Sequence, residues 1–169
     1  MHLLRAVIVW AVALVFGFSL LGLTVGAHFS MRIKVRRKYF EDCISLINSL
    51  EGEVRFKQSK LTEILLCESE RFGAELKDNI HDFIRFISKK SDAFAPKLAH
   101  LTKRERSIIT DMFSVLGTYD TDTQVMVLEN FKGKIDELYN SEKQRESKYC
   151  SSYIKLGVLV GAAIGILVL

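Results

Sequence analysis

AVIVWAVALVFGFSLLGLTVGA, Ala6 to Ala27, is a run of 22 residues without one charge. As a helix rising about 1.5 Å per residue it reaches about 33 Å, enough for a hydrocarbon core of about 30 Å. A second uncharged run, LGVLVGAAIGILVL, closes the chain at Leu156 to Leu169, and its 14 residues make only about 21 Å of helix. Taken back to Tyr149, that segment has 21 residues with Lys155 as its one charge. A lysine near the end of a span lifts its ammonium to the headgroups, and Tyr149 and Tyr153 suit the interface. The sequence therefore predicts membrane helices at residues 1–29 and 149–169 around a domain at residues 30–148.

The first run has a rival reading. Arg5, the apolar stretch and the small residues Val25, Gly26 and Ala27 could describe a cleaved signal peptide. The run is longer than such a segment needs, and a basic stretch that would resist translocation follows at once. Arg32, Lys34, Arg36, Arg37 and Lys38 come directly after it, while Lys143, Arg145, Lys148 and Lys155 precede or enter the second run. By the positive-inside rule the middle of the chain is cytoplasmic and both termini lie outside. Arg5 and Lys155 aside, 22 basic and 20 acidic residues lie between the runs, a balance of +2. Setting aside the five juxtamembrane residues turns it to −3. The basic character thus belongs to the membrane flank, where it attracts anionic lipid, and gives no support to nucleic-acid binding.

The middle reads as helix throughout. It holds the chain's one proline, Pro96, and shows no alternating run. From about Ser30 to Phe56, Phe40, Ile44, Ile47, Leu50 and Val54 follow one another at spacings of three and four. They make one apolar stripe, on a helix able to continue the first span without a break. After an interruption at Lys57–Lys60, Leu61, Ile64 and Leu65 begin a short second helix. Ile80, Phe83, Ile84 and Ile87 mark a third, with Asp82 and Arg85 turned outward, and Ser91–Pro96 reads as a loop. Thr102 and Glu105 make a T-x-x-E capping box before Ile108, Ile109, Met112, Phe113 and Leu116, and Gly117 stands where a left-handed stop is wanted. Thr121 and Gln124 offer a second box, T-x-x-Q, ahead of Val125, Leu128, Phe131, Ile135 and Leu138. The polar stretch NSEKQRESK then reads as a solvated stalk leading into the second span.

No catalytic constellation is present: no phosphate-binding glycine loop, no HExxH and no G-x-S-x-G. His2, His28, His81 and His100 are scattered, and Glu51 and Glu53, two apart, point to different faces of a helix. The expectation is a protein without catalytic residues, cofactor or metal. Cys43, Cys67 and Cys150 show no pairing pattern and suit a reducing cytosol. Cys150 is close enough to the membrane for acylation, although an unmodified thiol is the simpler expectation. Gly157, Gly161 and Gly165 recur every fourth residue, and Gly22 and Gly26 repeat the spacing in the first span. Such faces let helices approach closely in lipid, against the other span of the same chain or against a second copy, a homo-oligomer. Glycine is also simply common in membrane helices.

These features, in this order, resemble the stage III sporulation protein AB family. Leu116-Gly117, Asp120 and Gln124 look like its L-G-x-x-D-x-x-x-Q signature, and the ending from Lys155 to Gly161 is similar to its tail. Ser49-Leu50-Glu51-Gly52-Glu53-Val54, followed by Leu61 and Glu63, resembles its S-L-x-x-E-I pattern, although Lys60 stands where the family usually has proline and Gly52 lies within the helix. Gly117 and Gln124 are equally explained as a helix stop and a cap. The resemblance implies an all-α fold, a small antiparallel helical bundle similar to the cytoplasmic domain of the type II secretion inner-membrane platform protein. It also implies a platform subunit of the channel-like complex between mother cell and forespore, its partners being a secretion-type ATPase, other membrane subunits and lipid. Exposed acidic residues such as Glu51, Glu53 and Glu63 are the candidate contacts. The alternative is a membrane-tethered helical adaptor or signalling scaffold.

Overall fold

The computed structural model of the protein describes residues 2–56, 61–88, 94, 96–97 and 100–167, leaving aside the side chains of residues 2–9, 11, 12, 14 and 54–56. Among the described residues it contains five α-helices and no strand: α1 (His2–Phe56), α2 (Leu61–Ser69), α3 (Ala74–Ile87), α4 (Lys103–Ser114) and α5 (Thr121–Leu167). The first apolar run and the stripe that follows it are one helix, and so are the fifth amphipathic stripe, the polar stretch and the last apolar run. The breaks expected at Lys57–Lys60 and over most of Ser91–Pro96 lie outside the described residues, as does the side chain of Val54.

The chain forms two compact units, one of Met1–Val35 with Glu142–Leu169 and one of Arg36–Ser141. In Arg36–Ser141 all five helices contribute to a single apolar core. The α1 stripe supplies Phe40, Ile47 and Leu50, and also Cys43 and Leu46, which widen it by one position on each turn. Facing them are Leu65 of α2, Leu76, Ile80 and Phe83 of α3, Ile109, Met112 and Phe113 of α4, and Leu128 and Ile135 of α5. Phe83, Phe94 and Phe113 form an aromatic cluster with each pair of ring centroids 5.3 Å apart, within the range where tilted and edge-to-face packing is favourable.

Two buried polar side chains of this unit, Asn79 and Asp42, have specific partners. Asn79, on the same face of α3 as Leu76 and Phe83, clamps the main chain of Lys97: its Oδ1 accepts the Lys97 N–H at 2.7 Å and its Nδ2 donates to the Lys97 carbonyl at 3.2 Å. Nδ2 also reaches the Tyr39 hydroxyl at 3.3 Å. Burial pushes the Tyr39 phenol and the neighbouring Cys43 thiol well above their usual ranges, so both stay protonated. Asp42 accepts from the N–H of Gly73, the residue just before α3, at 3.0 Å.

Three of the five juxtamembrane basic residues are engaged within this unit instead of being held for lipid. Arg36 donates to the His100 carbonyl at 3.0 Å and to Glu105 Oε1 at 2.7 Å. Glu105 is the acidic member of the expected capping box, which forms in full: its Oε2 accepts from Thr102 N–H and the Thr102 hydroxyl accepts from Glu105 N–H. Lys38 pairs with Asp42 at 3.0 Å, and Arg37 with Glu41 at 3.8 Å. Arg32 and Lys34 are exposed, as is Lys38 despite its ion pair.

In the other unit, α1 and α5 run antiparallel, because rising numbers on one meet falling numbers on the other: Val15 with Gly165, Phe18 with Gly161, Gly22 with Gly157 and Gly26 with Tyr153. The polar stretch before the last apolar run departs from a fully solvated stalk. Glu142 is only 3% exposed and accepts from Arg145 at 3.1 Å. Cys150 lies two helical turns further on the same face, also buried, with its thiol donating to the Ser30 carbonyl at 3.7 Å. A thiol placed so is screened from acylation.

Candidate functional site

The glycine faces, the signature turn and the acidic residues are the three candidate functional groups, and the structure places each differently. The glycines come together. A Cβ built on Gly22 would lie far inside contact distance of the Gly157 carbonyl, and one on Gly161 would meet the Phe18 carbonyl in the same way. A Cβ on Gly26 would stand 2.5 Å from the Tyr153 carbonyl, and one on Gly165 2.7 Å from Val15 Cα. Backbone meets backbone at every step, which a side chain of any size would prevent. The two glycine faces therefore pack within one chain. Ser30 continues the α1 face four residues beyond Gly26, and it is buried too. The spacing G-x-x-x-G-x-x-x-S in the sequence carries that signal, unread at the serine.

Around this seam the exposed surface carries large apolar side chains. Trp10, Phe16, Leu20, Leu21, Leu159 and Ile166 are all exposed, Trp10 by 72%. Among the described residues one helix, Thr121–Leu167, is long and apolar enough to cross a membrane by length and composition.

The signature residues also come together, at the turn from α4 to α5. Leu116 inserts into the core, and Gly117 takes φ +75°, a left-handed conformation that costs a side-chain-bearing residue steric strain. Asp120 caps α5, its Oδ2 accepting the Thr123 N–H at 3.3 Å. Hydrogen bonds from the Thr123 side chain and N–H hold the Asp120 carboxyl below its ordinary range. The expected T-x-x-Q box is therefore corrected. The cap falls one residue earlier, on Asp120, whose short carboxylate is better suited to the position. Gln124 instead latches the two sides of the turn together, its Oε1 accepting the Gly117 N–H at 3.0 Å. Against the turn lies a cleft of about 110 Å³ lined by Leu50, Leu61, Ile64, Leu116 and Leu128, with Gln124 in its wall and exposed Tyr119 and Thr121 beside it.

The acidic residues do not form one exposed patch. Glu51 is half-buried and pairs with Lys132 of α5 at 3.5 Å, tying α1 to α5. Glu53 is half-buried as well, and Glu63, in the first turn of α2, is the exposed member of the three. Spacing alone sets Glu51 and Glu53 on different faces but does not say which face meets a lysine 81 positions away. The clamp made by Asn79 goes unread in the sequence. Its register with Leu76 and Phe83, three and four residues away, is the available signal. Among the described residues no three His, Cys, Asp or Glu side chains converge as a metal site.

An all-helical chain, among its described residues, with one helix long and apolar enough to cross a membrane defines a class, that of helical proteins with a candidate membrane span. Within that class, the family model for stage III sporulation protein AB matches residues 7–169. The chain belongs to this family and is thus a sporulation-related protein. No curated protein and no solved structure matches it.

Proposed function

We propose that the protein is a non-enzymatic platform subunit of a secretion-like complex between mother cell and forespore, anchored by two membrane helices. In this reading residues 30–148 stand in the cytoplasm, both termini lie outside, and the bundle engages a secretion-type ATPase together with other membrane subunits. Its work is positional, holding partners at one place on the membrane, with no bond made or broken.

The observation that carries the proposal is the inverted polarity of the α1–α5 pair, glycine inside and large apolar side chains outside. In water that arrangement would expose an apolar surface of the kind soluble monomers avoid, whereas in lipid it is the ordinary one. The exposed basic residues Arg32 and Lys34 at the inner flank favour the same topology. Family membership supplies the sporulation setting.

Co-purification from sporulating cells, with the intact membrane-embedded protein as bait, tests the reading. Recovery of a secretion-type ATPase, lost on deletion of residues 30–148, is the expected result. An intact, membrane-embedded bait that recovers no ATPase would overturn it in favour of the tethered adaptor.

A further inference from the structure

An aromatic strip lies beside the glycine seam, where the apolar runs of α1 and α5 give way to charged sequence. Phe29 of α1 and Tyr153 of α5 have ring centroids 6.1 Å apart, and Tyr149, one turn along α5, stands 6.1 Å from Tyr153. The rings thus span both helices, yet each stays open on its outer side: Phe29 is 51% exposed, Tyr149 39% and Tyr153 36%. The Lys148 ammonium sits 5.4 Å from the centroid of the Tyr149 ring, within cation–π range. Arg32, three residues beyond Phe29, is its neighbour on the surface of α1 and is exposed. Arg36, Arg37 and Lys38 have carboxylate partners, but among the described residues Arg32 and Lys148 have none. The exposed charge described in this unit is wholly basic, since Glu142 is buried and Glu146 half-buried.

We propose that this strip binds one anionic phospholipid, its phosphate held by Lys148, Arg32 and the Tyr149 hydroxyl and the upper part of its acyl chains laid on Phe29 and Tyr153. Charge and order select this occupant. Two cations without a carboxylate nearby favour a negative headgroup over a zwitterionic one. On both helices the order away from the apolar run is ring first and cation after: Phe29 then Arg32 on α1, Tyr153 then Tyr149 and Lys148 on α5. A phospholipid has the same order, acyl chain then phosphate, and tyrosine with its apolar ring and polar tip suits the boundary between them. A soluble anion would use the cations and leave the rings idle. The inference rests on the reading above that the α1–α5 pair lies in a membrane, and the ATPase has no part in it. It differs from the general attraction of a basic flank in fixing one site on one side of the pair.

The test is native mass spectrometry of the full-length protein released from micelles that hold equimolar phosphatidylglycerol and phosphatidylcholine with the same acyl chains. The first lipid retained should be phosphatidylglycerol by roughly tenfold, the worth of two interfacial cations. Arg32→Gln combined with Lys148→Gln should bring the ratio close to one. Lys34→Gln combined with Lys155→Gln removes the same charge from other faces, Lys34 lying about 140° round α1 from Phe29 and Lys155 about 160° round α5 from Tyr153. That control should keep the preference. All four side chains are exposed, so both double variants should melt with the parent. A ratio near one for the parent would overturn the proposal. So would equal losses in the two double variants, because diffuse charge would then account for the lipid. Displacement of the lipid by soluble glycerol phosphate at the same concentration would overturn the lipid assignment in favour of a simple anion. Extraction of the protein from cells without detergent would sink the membrane reading itself, whereas a detergent-requiring protein with no lipid preference sinks the lipid site alone.

Discussion

Glycine has opposite meanings at two positions of this bundle. At Gly117 the backbone is left-handed and an added Cβ would stand 3.0 Å from Leu61 Cδ2. Gly117→Ala should therefore destabilise the protein by about 1–3 kcal/mol. Gly52 lies in a helix with open space where a Cβ would be. Gly52→Ala should stabilise by about 0.5–1 kcal/mol, since alanine reduces the freedom of the unfolded chain and suits the helix. Chemical unfolding of the two variants in the same detergent checks both signs. If Gly117→Ala proved neutral, the left-handed turn would not be a feature of the folded state. Both glycines are visible in the sequence, Gly117 as a stop and Gly52 as an oddity within a helix. The sign of each substitution depends on a backbone angle and on the space around it.

At the scale of elements, caps and seams decide where helices begin and how they pair. The Asp120 cap gives α5 a pH-dependent start. Its folded pKa is depressed, so its contribution is present above the unfolded value of about 3.9 and is lost as pH falls through the folded value. Asp120→Asn keeps a capping side chain but removes the titration. The variant should show a flatter fall in melting temperature below about pH 4 than the parent, and identical slopes would remove the cap from the acid response. The glycine seam makes a sharper contrast. Gly161→Leu pushes a side chain into the Phe18 backbone, while Gly17→Leu meets open space. In detergent, the first should lower the unfolding temperature markedly and the second leave it within a few degrees; equal effects would mean that the seam does not hold the pair together. The T-x-x-E box is fully legible, because capping is local. The T-x-x-Q reading fails because Gln124 has a non-local partner, the Gly117 N–H across the turn.

For the whole molecule, the three cysteines report topology without any engineered probe. Cys67 is exposed, whereas Cys43 and Cys150 are buried and burial further suppresses the Cys43 thiolate. A membrane-impermeant maleimide should label no cysteine in intact cells and one, Cys67, after permeabilisation. All three should react after denaturation in detergent. Labelling of Cys67 in intact cells would place the bundle outside and reverse the proposed orientation.

The sequence by itself determined the helical class, the two apolar runs, the faces of most helices and the family signature. Each of these rests on local periodicity, on charge placement or on a short spacing, and such signals survive without knowledge of the fold. It left open whether the glycine faces meet within a chain or between chains, took Glu51 and Glu53 as exposed where they are half-buried, and assigned Gln124 to a capping box it does not make. Tertiary structure decided all three. Gly22 meets Gly157, Glu51 meets Lys132 and Gln124 meets Gly117. The physical reason is common to them: a helix fixes the direction of each side chain, but the group it meets is set by how distant segments pack. That packing also left one buried amide donor facing no partner of its own.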